Sequence, residues 1–215
     1  MYKKLFITGS NSLIGKNLIK MMPKSLEIYK PTKKELNLVS LKNLEKIKKK
    51  ITSSDVIVLL HSSISSKIHL KKTEKEKINQ LKVNLLSILE ICEIALKYNK
   101  KVRIFIMGSE SGIKGSFDII YGLSKSSLHK YIEERKIFYP KQQIVGIAPS
   151  TIIDGKITVK RKDKKNVKKS ILTNPKKRGI FSIEISKFIY SLIFHNTDYI
   201  SNTVININGG KFSRM

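Results

Sequence analysis

Short apolar runs alternate with helix-spaced segments along almost the whole chain, and this alternation limits the fold to one class. Leu5-Phe6-Ile7 reads as a buried strand ended by a Gly/Ser turn. Leu13 to Met22 has helical spacing (Leu13, Ile14, Leu18, Ile19, Met22) and stops at Pro23. Leu26 to Tyr29 reads as a second strand, stopped by Pro31, and Leu36-Asn37-Leu38 as a brief third. Ser40 is placed to cap a helix from Leu41 to about Lys50. Val56 to Leu60 is a fourth strand, and a long helix follows from about Thr73 to Tyr98. Arg103 to Met107, Ile144 to Ile147 and Thr203 to Ile207 complete a set of about seven strands. Helical runs from Phe117 to Tyr139 and from Ser182 to His195 lie between them. Such a chain builds an α/β domain, a doubly wound parallel sheet with helices on both faces, here spanning 1–215. Ligands of such sheets sit beyond the carboxyl ends of the strands.

The 215 residues are enough for one substantial core, and 40% of them are apolar. Cys92 is the only cysteine, so no disulfide can form within the chain, which fits a reducing compartment. No apolar run approaches the ~20 residues that span a bilayer. The apolar piece near the N-terminus is too short for a secretory signal. The expectation is a soluble, cytoplasmic protein.

The formal net charge of +27 points first to nucleic acid or an anionic membrane. Only five of the 43 basic residues are Arg, however, and Arg is the side chain favoured for bidentate phosphate and base contacts. Lys, Ile and Asn are in excess together, as a bias toward A/T-rich codons would produce. Drift in composition is the favoured reading, and neither a nucleic acid nor a membrane is expected as partner.

Two local patterns carry chemistry. Thr8-Gly9-Ser10-Asn11-Ser12-Leu13-Ile14-Gly15 joins a strand to a helix N-terminus, where Gly9 permits a tight turn and Gly15 close packing. The free N–H groups of such a helix start suit a pyrophosphate. Tyr121 and Lys125 lie at i and i+4 on one helix face, in Tyr121-Gly122-Leu123-Ser124-Lys125. A phenol ordinarily titrates near pH ~10, and a neighbouring ammonium lowers that value. The pair can then exchange a proton with a substrate hydroxyl or carbonyl. His69, His129 and His195 have no Cys or carboxylate partners at ligand spacing, so no metal is expected.

With these motifs in order, the chain resembles the short-chain dehydrogenase/reductase family nearly end to end. Thr8-Gly9 through Gly15 looks like that family's cofactor turn, although its middle glycine is Ser12 or Leu13 here. Asp55 to Ser63 looks like the fourth strand and its loop, with Leu60-His61-Ser62 in place of the common Asn-Ala-Gly. Val83-Asn84 matches the long helix, and Met107-Gly108-Ser109 before Gly112 resembles the catalytic-serine segment. Ala148-Pro149-Ser150 is similar to the Pro-Gly after the sixth strand, and Asn208-Gly209-Gly210 to the usual ending.

The resemblance implies a Rossmann-fold NAD(P)-binding oxidoreductase that interconverts a carbonyl and an alcohol. Tyr121 would be its acid/base and Lys125 would lower the Tyr121 pKa and bond the nicotinamide ribose. Ser109 would hold the reacting oxygen, with Ser111 as the alternative. Asn84 would hold a water feeding protons to Lys125. Cofactor contacts are implied for Gly9, Ser10, Asn11, Ser12, Leu13, Ile14 and Gly15, and for His61, Ser62, Ser63, Tyr121, Lys125, Pro149 and Ile152. The end of the second strand, Tyr29 to Lys34, carries Lys30, Lys33 and Lys34 and no acid after Glu27, which favours NADP over NAD.

A Lys-dense stretch at 154–179 is the expected substrate loop. It reads either as a solvated surface or as a cover for an anionic substrate. About 65 residues follow Ser150, too few for the sugar-binding lobe of nucleotide-sugar epimerases, so a simple reductase is favoured over a nucleotide-sugar reductase or epimerase. A non-enzymatic NADP-binding regulator is a further alternative. A homodimer or homotetramer paired through the long helices is expected from the resemblance.

Overall fold

The computed structural model describes residues 2–65, 71–159, 164–195 and 197–211. His69, Lys160, Arg161, Lys162 and Arg214 lie outside the described residues. Six parallel strands form one sheet in the order β2-β1-β3-β4-β5-β6. They are β1 (Lys4–Thr8), β2 (Glu27–Tyr29), β3 (Val56–Leu59), β4 (Arg103–Met107), β5 (Gln143–Pro149) and β6 (Thr203–Ile207). Alternate residues of each strand face opposite cores. Phe6, Ile57, Ile104, Ile106 and Ile144 pack with Ile47, Ile51, Ile91, Leu96 and Leu128. These last come from α2 (Leu44–Thr52), α4 (Ser87–Tyr98) and α6 (Ile119–Glu134). Leu5, Ile7, Val58, Phe105 and Val145 pack on the other face with Leu18, Ile185 and Ile189, from α1 (Leu13–Met21) and α9 (Ser182–Phe194). This is a Rossmann-like doubly wound domain, as expected.

Three expectations need correction. Leu36–Leu38 is not a strand, which leaves six strands rather than seven. Its backbone is tied into turns: Asn37 Oδ1 accepts from Val39 and Ser40 N–H at 3.0 and 3.3 Å. Ser40 caps nothing. Leu41 has φ 54°, and α2 begins three residues later, at Leu44, after Asn43. The long helix is interrupted as well. It runs as α3 (Glu74–Leu81), a π-helical turn (Lys82–Leu86) and α4, and such turns mark functional sites more often than chance.

The remaining helices are α5 (Ser111–Lys114), α7 (Lys156–Val159) and α8 (Lys164–Leu172). The last two fall within the basic stretch, where every described Lys and Arg is exposed.

Candidate active site

The turn after β1 folds as its glycines require. Gly9 has φ +68° and Ser12 N–H donates to its carbonyl at 2.9 Å. Ser12 caps α1, its Oγ accepting from Gly15 N–H at 3.0 Å. A Cβ on Gly15 would lie 2.7 Å from the Gly9 carbonyl oxygen, so only glycine lets α1 start this close to the turn. Ser12 needs no glycine because its φ is −68°. Leu13 stands partly exposed at the cavity mouth.

A cavity of about 420 Å³ lies over the carboxyl ends of β1, β3, β4 and β5. Ser12, Leu13 and Ile14 line it on one side, and Ser109, Tyr121 and Lys125 on another. Ser62, Pro149 and Ile152 also line it. Gly9, Ser10, Asn11, Gly15, Ser63 and Lys30 are not in its wall.

Tyr121 and Lys125 rise one turn apart on α6, whose N-terminus is capped by Asp118. Lys125 is fully buried, and Nζ donates to the Met107 carbonyl at 2.7 Å. Burial pushes its pKa down to about 7. Its Nζ stands 5.8 Å from the Tyr121 ring centroid. The phenol itself behaves opposite to expectation. Burial pushes its pKa above the ordinary value, and the Asp118 and Glu110 carboxylates add to the rise. The Ser109 and Ser62 hydroxyls pull it back without reversing it. In the protein alone, therefore, Lys125 does not make Tyr121 acidic. Ser109 Oγ accepts from Ser111 N–H at 3.1 Å, and both residues border the cavity.

Asn84 sits in the π-helical turn with no exposed surface. Its Nδ2 donates to Ser63 O at 2.7 Å, and its Oδ1 accepts from Ser63 N–H at 2.6 Å and Ser62 Oγ at 3.3 Å. The side chain thus holds the loop after β3, using one of its two amide hydrogens for Ser63. His61 is turned inward. Its Nδ1 meets Thr8 Oγ1 at 2.6 Å and its Nε2 meets Ser87 Oγ at 3.0 Å. Ser87 gives its own proton to Val83 O, so the ring donates from Nε2 and accepts at Nδ1. Burial and the Lys125 charge hold its pKa down to about 3. Its side chain is not in the cavity wall.

Sequence reasoning missed two groups. A buried cluster braces the start of α6: Lys72 Nζ bonds Asp118 Oδ1 at 2.5 Å and Gln80 Oε1 at 2.8 Å. Asp118 Oδ2 also accepts from Gln80 Nε2 at 2.6 Å and Ser65 N–H at 2.8 Å. Burial raises the Asp118 pKa, but these bonds outweigh it and keep the carboxyl low. A Lys and an Asp 46 positions apart leave no local signal. Glu35, one residue past the stretch read for cofactor choice, folds back onto the end of β2. It accepts from Thr32 N–H at 2.8 Å and Tyr29 OH at 3.2 Å.

No family model matches this chain, and no curated protein does. Solved structures match it over nearly their whole length. A Brucella melitensis short-chain dehydrogenase/reductase of the glucose/ribitol dehydrogenase type superposes with a TM-score of 0.82 at 17% identity, covering 99% of this chain and 97% of the other. A Serratia marcescens short-chain dehydrogenase/reductase gives 0.81 at 16%, with 97% of each chain covered. A tyrosine-to-phenylalanine variant of ElxO with NADPH bound gives 0.76 at 20%, covering 98% and 99%. The chain has the short-chain dehydrogenase/reductase fold.

Proposed function

We propose that this chain, built on the short-chain dehydrogenase/reductase fold, is an NADP(H)-dependent oxidoreductase interconverting a carbonyl and an alcohol. The observation that supports this most is one cavity bordered both by Ser12, Leu13 and Ile14 at the start of α1 and by the Tyr121/Lys125/Ser109 group. A dinucleotide on the turn and a substrate at the tyrosine would share that space.

The residues fit such a cofactor. Gly9 and Gly15 let the turn pack tightly against Leu60, His61 and its own backbone, which sets the α1 N-terminus, whose N–H groups would donate to a pyrophosphate. Lys125 spends one of its three ammonium donors on Met107, leaving the others for a ribose hydroxyl. Lys30 is exposed at the end of β2, where it would meet a 2′-phosphate. NADP, when bound, supplies the hydride donor or acceptor. Tyr121, protonated at neutral pH by its raised pKa, gives its proton to the carbonyl oxygen, while Ser109 holds that oxygen. Asn84 keeps the Ser62–Ser63 loop in place beneath them.

Lys156 borders the same cavity, where Lys114 is already paired with Glu110 at 2.6 Å, and Lys156 supports a substrate carrying an anionic group. Exposed Leu86 and Leu123, beside α4 and on α6, support pairing of the long helices in a homo-oligomer. No helix among the described residues is long and apolar enough to cross a membrane, in keeping with a cytoplasmic location.

The test is fluorescence titration with NADPH and NADH, followed by a screen of carbonyl compounds, nucleotide sugars included, for NADPH oxidation. Turnover that vanishes in Tyr121→Phe supports the reading. Tight NADPH binding with no turnover on any carbonyl would favour a regulator on the same fold.

A further inference from the structure

The exit of β4 is read by one stripe of α6. Gly108 N–H donates to Ile147 O at 2.8 Å and Glu110 N–H to Pro149 O at 3.0 Å, continuing the ladder to β5. Met107 and Ser109, on either side of Gly108, turn their backbone groups to the opposite edge. There β3 gives no further partner, because its last pairing with β4 is Leu59 with Ile106. Buried backbone groups left this way cost free energy unless something else bonds them. Lys125 takes the Met107 carbonyl, and His129, one turn further along α6, takes the Ser109 amide, Ser109 N–H donating to Nε2 at 3.3 Å.

The imidazole has a seat made for it. A Cβ on Gly108 would come within 2.6 Å of His129 Nε2, and one on Gly112 within 2.7 Å of its Cε1. Both glycines flanking the Ser109–Ser111 segment therefore leave room for the ring. Any other residue at either would push the ring or the segment aside. Burial and the Lys125 charge hold the His129 pKa down to about 4, so the ring stays neutral at working pH.

We propose that His129 is a positioning residue for Ser109: its bare Nε2 accepts the Ser109 amide, and its ring, seated between Gly108 and Gly112, fixes the segment that presents the Ser109 hydroxyl to Tyr121. The contact stands on its own geometry, and only its catalytic consequence rests on the oxidoreductase reading.

The first experiment uses the unaltered protein. Ring ¹⁵N NMR at neutral pH, with His129 identified by comparison with His129→Gln, should show Nε2 without a proton and Nδ1 with one. The Ser109 amide should exchange slowly. A protonated Nε2, or a rapidly exchanging Ser109 amide, overturns the proposal.

The second follows the Tyr121 phenolate by absorbance, as a difference against Tyr121→Phe in each background. Ser109 lowers the phenol pKa, while Asp118 and Glu110 raise it and Lys125 lies over the ring. His129→Leu should displace Ser109, remove its lowering effect and move the phenol titration upward. His129→Gln, whose amide oxygen can accept the same bond, should stay near the parent. A folded His129→Leu with an unshifted phenol also overturns the proposal. If His129→Leu does not fold, the ring tautomer and amide exchange decide. If both hold while no carbonyl is reduced, the oxidoreductase reading fails and the positioning role stands.

Discussion

Lys125 gives its ammonium to the Met107 carbonyl at 2.7 Å and meets Tyr121 only over the ring, 5.8 Å from its centroid. The two residues of the proposed catalytic pair are thus set by different neighbours. Tyr121 answers to the Ser109 and Ser62 hydroxyls, and Lys125 to the end of β4. Their substitutions should separate accordingly. Tyr121→Phe should cut turnover on the order of 10²- to 10⁴-fold and leave NADPH affinity nearly unchanged. Lys125→Met should lose both, since it would remove the proposed ribose donor and leaves the Met107 carbonyl without its partner. Steady-state rates beside fluorescence titration distinguish the two patterns. Equal loss of NADPH binding in both variants would contradict the division of roles.

The pH dependence of stability follows from the same burial. The Lys125 pKa falls from an ordinary 10.5 to about 7 in the folded protein. Between those values the unfolded chain binds more protons, so stability should rise with pH from about 7 toward 10. Above the ordinary phenol range the raised Tyr121 pKa works in the opposite sense, because the fold keeps a proton that the unfolded chain sheds. On the acid side, the His129 pKa is lowered from 6.5 to about 4 and that of His61 to about 3. Stability should therefore fall as pH drops through this window, by on the order of 3 kcal/mol from His129 alone. Urea unfolding at a series of pH values measures both slopes. Lys125→Met should flatten the alkaline one and, by removing a charge that helps keep both imidazoles neutral, soften the acid one to a smaller extent.

His61 and Asn84 should prove structural in their side chains. His61 joins the end of β1 to the start of α4 through Thr8 and Ser87, and Asn84 pairs both backbone groups of Ser63. Asn84→Asp replaces a donor to Ser63 O with a carboxylate facing it. It should cost about 2–4 kcal/mol, more than Asn84→Ala at about 1–3. His61→Leu should destabilise by a similar 1–3 kcal/mol and change NADPH affinity little in whatever remains folded. A large loss of affinity at unchanged stability would return His61 to the cofactor site.

Cofactor choice turns on the end of β2. If Lys30 meets a 2′-phosphate, Lys30→Glu should lower NADPH affinity about tenfold or more with little effect on NADH. Glu35 already spends its oxygens on Thr32 and Tyr29, so Glu35→Gln should shift the preference less. Titrating both cofactors against each variant gives the two ratios.

What the sequence revealed and what it hid divide along physical lines. The strands of the central sheet are legible because β3, β4 and β5 are buried on both faces and read as unbroken apolar runs. The turn at Gly9 and the Tyr121/Lys125 stripe are legible because local spacing alone brings their atoms together. The false strand at Leu36–Leu38 shows the limit. Two leucines that bury against the core look the same in a turn as in a strand, and bonds from Asn37 decide between them. The phenol's raised pKa was hidden too, since the spacing of Tyr121 and Lys125 tells nothing of burial or of Glu110 and Asp118. His129 looked like an ordinary helix residue because Gly108 and Gly112, which make its seat, lie about 20 positions away.

The buried Lys72–Asp118 pair is another such long-range contact, and its carboxylate caps the start of α6. Asp118 accepts from Lys72, Gln80 and the Ser65 and Tyr121 N–H groups, so the carboxylate ties the segment after β3, α3 and the Tyr121 helix to one point. Removing the cation alone leaves a carboxylate with no counter-charge inside the protein. Lys72→Met should therefore cost about 3–5 kcal/mol. Asp118→Asn keeps the size and one oxygen acceptor but strands the Lys72 ammonium, and should cost a similar amount. Substituting both residues together removes the charge imbalance, so the double variant should be less destabilised than the sum of the singles by about 1–3 kcal/mol. Denaturant unfolding of the four proteins measures the coupling, and simple additivity would mean that the two side chains do not depend on each other in solution. Because Asp118 also caps α6 through Tyr121 N–H, even the stable double variant should turn over more slowly than the parent, its tyrosine no longer held at the helix start.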